Sequence, residues 1–461
     1  MSSLKSLSLA DSLSYPSKVQ ILGLAAVGTL VAGFLYLGFP VTNLPWLIVG
    51  GILALLTLRS PVIGLTFVLA SQYAPFAVGG LTVVQIAGPL VALIALLWYA
   101  ANKRGIVLGN TTLPMIFLIF HLLYSLNFTK NAALTWSSLR KLSFNIIFCV
   151  LIVNVVNSYR KLRLPLWILT GMGALNSLAA FYQVAVGKTI DNRARGLLEN
   201  ENQFGEVAAM TFFVPFYFFL NGTRRWEKAL GFGLSVLLMG GMILSISRGA
   251  IIAFVGGICM VVIRERRSWR RILFFAVLGA CAYPLLPQHF SHRFEKIGSE
   301  LRGTVVLSQR HGLSVRGYYN KAGLKIWKAN PVLGVGLGNY GYYYIQPEFN
   351  PGMPGVHTLP PHNLYVQALA ETGTLGFLLL CWWILQAGYN YMKAEQRAPP
   401  PEDLTYLRAA ETLTLLMLIA AFASGNLLFT HTGVVLSLSY VCLRASENDP
   451  AATPAPTSSS S

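Results

Sequence analysis

Charge is scarce in this chain. Only 11% of its 461 residues are Asp, Glu, Lys or Arg, against 54% that are hydrophobic, and the mean hydropathy is +0.56. A water-soluble globular surface needs roughly a quarter charged residues, so an ordinary soluble fold is excluded. Cysteine is scarce too. Cys149, Cys259, Cys281, Cys381 and Cys442 lie in or beside apolar runs, without the paired spacing of a disulfide framework or a metal site, and read as small core residues. No small-residue cleavage site followed by a soluble domain comes after the first apolar run near Val19, so that run reads as a retained span. The spans show no internal repeat, which counts against a transporter built from two inverted halves.

What the chain does have is a succession of apolar runs, each about long enough to cross roughly 30 Å of hydrocarbon. They begin at 19–38 and 43–58 and continue through 61–80, 81–101, 112–126, 141–157, 164–186, 203–221, 228–246, 249–264 and 271–287. After a long hydrophilic interval they resume at 364–391, 405–423 and 425–443. The expected fold class is therefore all-α: a polytopic membrane protein with about 12 to 14 transmembrane helices and a partly helical periplasmic loop. The expected divisions are a cytoplasmic N-terminal segment at 1–18, an N-terminal transmembrane bundle at 19–287, the loop at 288–361, C-terminal transmembrane helices at 362–443, and a disordered cytoplasmic tail at 444–461.

A formal charge of +18 would suggest nucleic acid if the basic residues formed one patch on a soluble domain, but they sit in short connections between apolar runs. There they set topology by the positive-inside rule. A cytoplasmic N-terminus places Arg59, Lys103, Arg104 and the clusters at 160–163, 224–228 and 264–271 inside, with Lys393, Arg397, Arg408 and Arg444. The exceptions carry the information. Lys188, Arg193, Arg195, Arg248 and the loop residues Arg293, Lys296, Arg302, Arg310, Arg316, Lys321, Lys325 and Lys328 then face outside, where cations are normally thinned out; an anionic partner on that side would account for them. Within the loop, 316–329 lacks proline and places Tyr319, Leu324, Ile326 and Trp327 in an imperfect apolar stripe, predicting a helix at the membrane surface. Asn330 and Pro331 end it, and Gly334, Gly336, Gly338 and Gly341 follow in a close-approach segment.

Three constellations have chemical potential. Arg248, in S-I-S-R-G at 245–249, is either snorkelling to lipid headgroups or presenting its planar donors to phosphate oxygens. Arg193 and Arg195 open R-A-R-G-L-L-E-N-E-N-Q, either a solvated connection or, with Asn200 and Asn202, a phosphate and sugar-hydroxyl site at a helix N-terminus. His362 follows Pro360 and Pro361 and precedes Asn363 where the loop re-enters the membrane; it fits a general base or a helix cap. Glu371 reads as a substrate-binding acid and Glu411 as a structural hydrogen-bonding group. The glycine run at 334–341 has neither a preceding strand nor a P-loop lysine, so no nucleotide site is expected, and the histidines lack zinc-ligand spacing.

Taken in order, these motifs resemble the O-antigen ligase and polymerase superfamily: R-x-x-G with N-E-N at 193–202, S-I-S-R-G at 245–249, Arg316 with W-K-A-N-P-V-L-G-V-G-L-G-N-Y at 327–340, and P-H-N-L-Y-V-Q-A-L-A-E-T-G-T-L-G at 361–376. The likeness covers roughly the second half of the chain. It implies a metal-independent, inverting glycosyltransferase without cofactor or nucleotide, which moves a glycan from undecaprenyl diphosphate to an acceptor such as lipid A-core at the periplasmic face of the bacterial inner membrane, both termini being cytoplasmic. By the resemblance His362 is the catalytic base. Arg248, Arg316 and Arg195 or Arg193 hold the diphosphate, and Asn202, Asn363 and Glu371 contact substrate. A polymerase, a protein O-oligosaccharyltransferase and, from another class, a bicarbonate-like solute transporter remain as alternatives.

Overall fold

The computed structural model describes residues 44–73, 77–78, 81–102, 105–190, 192–282, 313–349, 361–423 and 430–448. The expected span at 19–38, the loop cations Arg293, Lys296, Arg302 and Arg310, and the tail beyond 448 lie outside the described residues, as do the side-chain surroundings of Arg316. The chain divides into two compact units, Met1–Val107 and Leu108–Ser461.

In the first unit, α1 (Leu44–Arg59), α2 (Pro61–Ser71) and α3 (Val83–Ala101) pack on one another, with Ala54, Leu58 and Ile94 at one contact. Between α2 and α3 runs a two-stranded antiparallel ribbon, β1 (Ala77–Val78) with β2 (Leu81–Thr82). The expected span at 61–80 is therefore interrupted. The sequence in this stretch holds Pro75, Gly79 and Gly80, residue types that do not favour a continuous helix.

The second unit is helical: α4 (Thr112–Ser125), α5 (Ala132–Val155), α6 (Tyr159–Ala185), α7 (Glu201–Asn221), α8 (Arg225–Ser245), α9 (Arg248–Arg264), α10 (Trp269–Ala282), α11 (Leu313–Ala329), α12 (Tyr340–Tyr344), α13 (Leu364–Gln396), α14 (Pro401–Ala420) and α15 (Thr430–Glu447). Among the described residues α5, α6, α7, α8 and α13 are each long and apolar enough to cross a membrane. Lipid gives helices little hydrophobic reason to associate, so close packing and polar contacts do that work. Small residues line the contacts: a methyl at Gly231 of α8 would stand 2.6 Å from the Pro215 carbonyl of α7, and one at Gly241 would strike Ser177 of α6. Tyr217 hydroxyl meets Thr412 at 2.9 Å and Trp167 donates to Tyr406 at 3.0 Å, joining α7 and α6 to α14.

Helix directions sort the polar groups to two ends. At one end Arg264 bridges Glu395 and Glu411, both at 2.6 Å, while Arg408 reaches Glu265 at 2.6 Å and Glu395 at 3.4 Å. The network ties the finish of α9 and α13 to the central turns of α14. The residue expected to play a structural role, Glu411, is a member of it. About 25 Å away, by the 1.5 Å rise over the 17 residues of α9, lie Arg248 and the starts of α7 and α13.

The break in α13 fixes the second end. Gly373 has φ 65°, interrupting the helix and orphaning the carbonyls before it. The glycine run supplies donors: Val335 N–H bonds Ala370 O at 3.1 Å and Gly336 N–H bonds Glu371 O at 2.8 Å, while His121 of α4 pairs with Thr372 O at 2.9 Å. On the other side of the break Thr374 N–H donates to Pro331 O at 2.8 Å, and Trp327 of α11 donates to the Thr374 hydroxyl at 3.1 Å. Glu371, 1% exposed, accepts from Tyr340 N–H and from the Gln367 amide, each at 3.1 Å. Asn339 reaches Thr135 of α5 at 2.7 Å. The segment 330–340 is thus a wedge between α5 and the break.

Gly334, at φ 70°, would place a methyl 2.6 Å from the Glu371 carbonyl oxygen. Gly334→Ala should therefore lower the detergent-solubilised protein's melting temperature clearly, the left-handed backbone alone costing about 1–2 kcal/mol. Gly317→Ala, with open space around it, should not. Equal melting curves for the two variants, read by fluorescence-detected size exclusion, would contradict the wedge.

Candidate functional site

His362 stands two residues before α13 with φ 51°, a left-handed backbone that redirects the chain into the helix. Asn363 is the N-cap: its side-chain oxygen accepts from Tyr365 N–H at 3.0 Å and Val366 N–H at 3.2 Å, the first helical donors that lack intrahelical partners. Leu364 N–H bonds Ala421 O at 2.8 Å and the Tyr365 hydroxyl bonds Leu418 O at 2.8 Å, so this turn is moored to the end of α14. The half-buried His362 ring lies 6.2 Å, centroid to centroid, from the ring of Tyr319 on α11. Tyr319 is held in turn, because the Tyr340 hydroxyl donates to its carbonyl at 2.7 Å. Burial, helped by the neighbouring tyrosines, pushes the Tyr340 phenol well above its ordinary range, so it remains a donor.

The S-I-S-R-G turn reaches the same end from another direction. Ile246 takes φ 49°, Ser247 caps α9 by accepting from Ala250 N–H at 3.4 Å, and half-buried Arg248 is the first helical residue. A methyl at Gly249 would lie 2.7 Å from the Ala423 side chain and 3.8 Å from Glu206 Oε1. Ala423 is two residues beyond the Ala421 that receives Leu364, so the Arg248 turn and the His362 turn share one support.

Arg193 joins the third segment to the second. Its Nε donates to Ser245 O at 2.8 Å, Nη2 to Asn202 Oδ1 at 2.6 Å, and Nη1 lies 3.6 Å from Glu201; the side chain is 12% exposed. Ala194 N–H adds a bond to Leu244 O at 3.0 Å, and Asn200 caps α7 by accepting from Asn202 and Gln203 N–H groups. Arg195 differs: it is exposed, and among the described residues no side chain bonds its guanidinium. Its backbone N–H donates to Gln183 Oε1 at 3.1 Å, Gln183 Nε2 reaches Gly196 O at 2.6 Å, and Asn176 Oδ1 accepts from Leu197 N–H at 3.0 Å.

The structure therefore gathers Arg193, Asn202, Arg248, His362 and Asn363 at one end of the second unit. Arg316 is on α11, three residues before Tyr319, and Glu371 is turned into the glycine wedge. Sequence reasoning missed Gln183, Asn176, Glu206 and Tyr319. The first two had a readable signal, polar amides inside an apolar span, whereas Glu206 and Tyr319 gain interest only from where the fold puts them.

The Arg193 and Asn202 pair invites a double-mutant cycle. Arg193→Ala and Asn202→Ala should each destabilise the protein by about 1–3 kcal/mol, and the double variant should fall short of their sum by about 0.5–3 kcal/mol. Strict additivity in denaturant or thermal unfolding would show that the bond carries nothing.

No curated protein matches this chain. Residues 233–381 match the family model described as O-antigen ligase, a stretch that begins within α8, contains the Arg248 turn, α11, the glycine wedge and His362, and ends within α13 beyond its break. The 193–202 segment lies outside it and is attached to it by the Arg193 bonds to Ser245 and Asn202. The chain is a helical membrane protein that carries, over residues 233–381, a domain of the O-antigen ligase family.

Proposed function

We propose that this protein transfers a glycan from undecaprenyl diphosphate to an acceptor hydroxyl, lipid A-core or another glycan, at the periplasmic face of the bacterial inner membrane. The observation that carries the reading is the meeting of three distant basic or polar segments at one end of the helical unit, through Arg193 to Ser245, Gly249 to Ala423 and Leu364 to Ala421. The opposite end has Arg264 and Arg408 already paired with carboxylates. We take the His362 end as periplasmic, the shorter apolar helices as further spans, and both chain termini as cytoplasmic.

In this reading His362 removes the proton from the acceptor hydroxyl, the freed oxygen attacks the anomeric carbon, and the lipid diphosphate leaves from the opposite face with inversion. Arg195, Arg248 and Arg316 offset the charge that builds on the leaving diphosphate, an effect largest where water is excluded. Arg193, Asn202, Asn363 and Glu371 have a different part. Each spends its side chain on a neighbouring backbone or side-chain group, so each positions the site and reaches substrate less readily than Arg195 does.

His362→Ala should reduce transfer from purified lipid-linked glycan by about 10²- to 10⁴-fold while the protein stays folded. Near-normal transfer would remove the base assignment. Arg195→Ala should cut transfer by about 10²- to 10³-fold with little change in melting temperature, whereas Arg193→Ala should lower both. Cells lacking a ligase accumulate long carrier-linked chains, and single repeats instead would mean a polymerase.

A further inference from the structure

Two connections at the end of the molecule opposite His362 lie side by side. The connection between α7 and α8 joins two candidate spans through 222–224, and so sits at a membrane face. The second, 265–268, joins α9 to α10. Asn221 donates to Glu265 Oε1 at 3.1 Å and Arg271 donates to the Leu220 carbonyl, holding them together. Beneath them Phe219 and Phe232 meet Phe275, at 6.2 and 5.9 Å between ring centroids.

These connections bring Arg224, Arg225, Lys228, Arg266, Arg267 and Arg270 into one neighbourhood, and all but the half-buried Lys228 are exposed. Both local acids are occupied. Glu227 accepts from the Thr223 and Arg224 N–H groups, and Glu265 is taken by Arg408 and Asn221. Among the described residues none of the six cations is in an ion pair. Arg163, in the cluster at 160–163, is different, because it bonds Glu402 at 2.6 Å and Asp403 at 3.1 Å. Two tryptophans flank the unneutralised set: Trp226 is 59% exposed, and Trp269 is 55% exposed with the Arg270 guanidinium 5.6 Å from its ring centroid.

Topology requires only that cations be present on one side; it does not require them unpaired, adjacent and bracketed by indoles. Unpaired cations beside membrane helices attract anionic headgroups, and tryptophan settles at headgroup depth. We propose that the surface formed by 224–228 and 266–270 is a binding site for an anionic phospholipid, its phosphates held by Arg224, Arg225, Arg266 and Arg267 and its glycerol region covered by Trp226 and Trp269.

The test uses the full chain. Purified protein incubated with cardiolipin or phosphatidylcholine is read by native mass spectrometry. Cardiolipin should be retained in preference, and Arg266→Gln with Arg267→Gln should weaken that retention by about fivefold per removed charge, while Arg160→Gln leaves it unchanged. Because losing cations can disturb insertion, a second measurement keeps every charge. In phosphatidylcholine vesicles doped with brominated phosphatidylglycerol, tryptophan emission should be quenched more than by the same fraction of brominated phosphatidylcholine. Trp226→Phe with Trp269→Phe should abolish that difference. Equal retention of the two lipids, or equal quenching by them, would overturn the proposal.

Discussion

A buried backbone carbonyl without a donor costs several kcal/mol, since no water is present to take the place of the lost partner. The break at Gly373 creates such carbonyls within the first third of a 33-residue helix, and the fold around the site follows from how they are satisfied. Val335 and Gly336 must approach α13 closely enough to donate, which is why a side chain at Gly334 would collide with Glu371 and why glycine recurs through the wedge. Once the wedge is seated, Trp327 and Tyr340 have fixed partners on α13 and α11, and the Tyr319 ring is brought beside His362. The environment of the histidine is thus decided by a backbone hydrogen-bonding requirement eleven residues away along the chain.

The same requirement explains why the buried carboxylate of Glu371 is tolerated. Its oxygens accept from a backbone N–H and an amide, and no charged partner is needed to hold it. At the far end the problem is solved with ions. Glu265, Glu395 and Glu411 interleave with Arg264 and Arg408, so that cutting one residue would leave a partly buried charge without its counterpart. One end is fastened by a network of paired charges, the other by backbone and amide bonds together with the guanidinium of Arg193. The second arrangement leaves Arg195 with its charge unspent, as a site for an anion requires.

Much of this was legible in sequence. Apolar runs at 203–221 and 228–246 became α7 and α8 nearly residue for residue, and the proline-free stretch 316–329 lies within α11, because helix length and the absence of breakers are local properties. The ribbon at 77–82 was not legible, since an apolar run interrupted by a short turn has the same hydropathy as one that continues. Glycines at 334–338 could be read as a close-approach segment, but the surface approached could not: it is formed by residues some 35 positions later, at a helix break that Gly373 alone does not announce.

The site shows the same division between residue type and placement. Spacing marked Arg193 and Arg195 equally, as two arginines two positions apart at the mouth of a bundle. In extended chain residues two apart would share a face, so spacing cannot separate them; the irregular path of the folded segment does, turning one guanidinium inward to Ser245 and Asn202 while the other is exposed. Burial makes the inward arginine a fastening between the 193–202 segment and the Arg248 turn. Its neighbour can then meet a phosphate without first giving up a bond, and the precision of that encounter depends on how firmly Arg193, Gln183 and Asn176 hold the backbone that carries it.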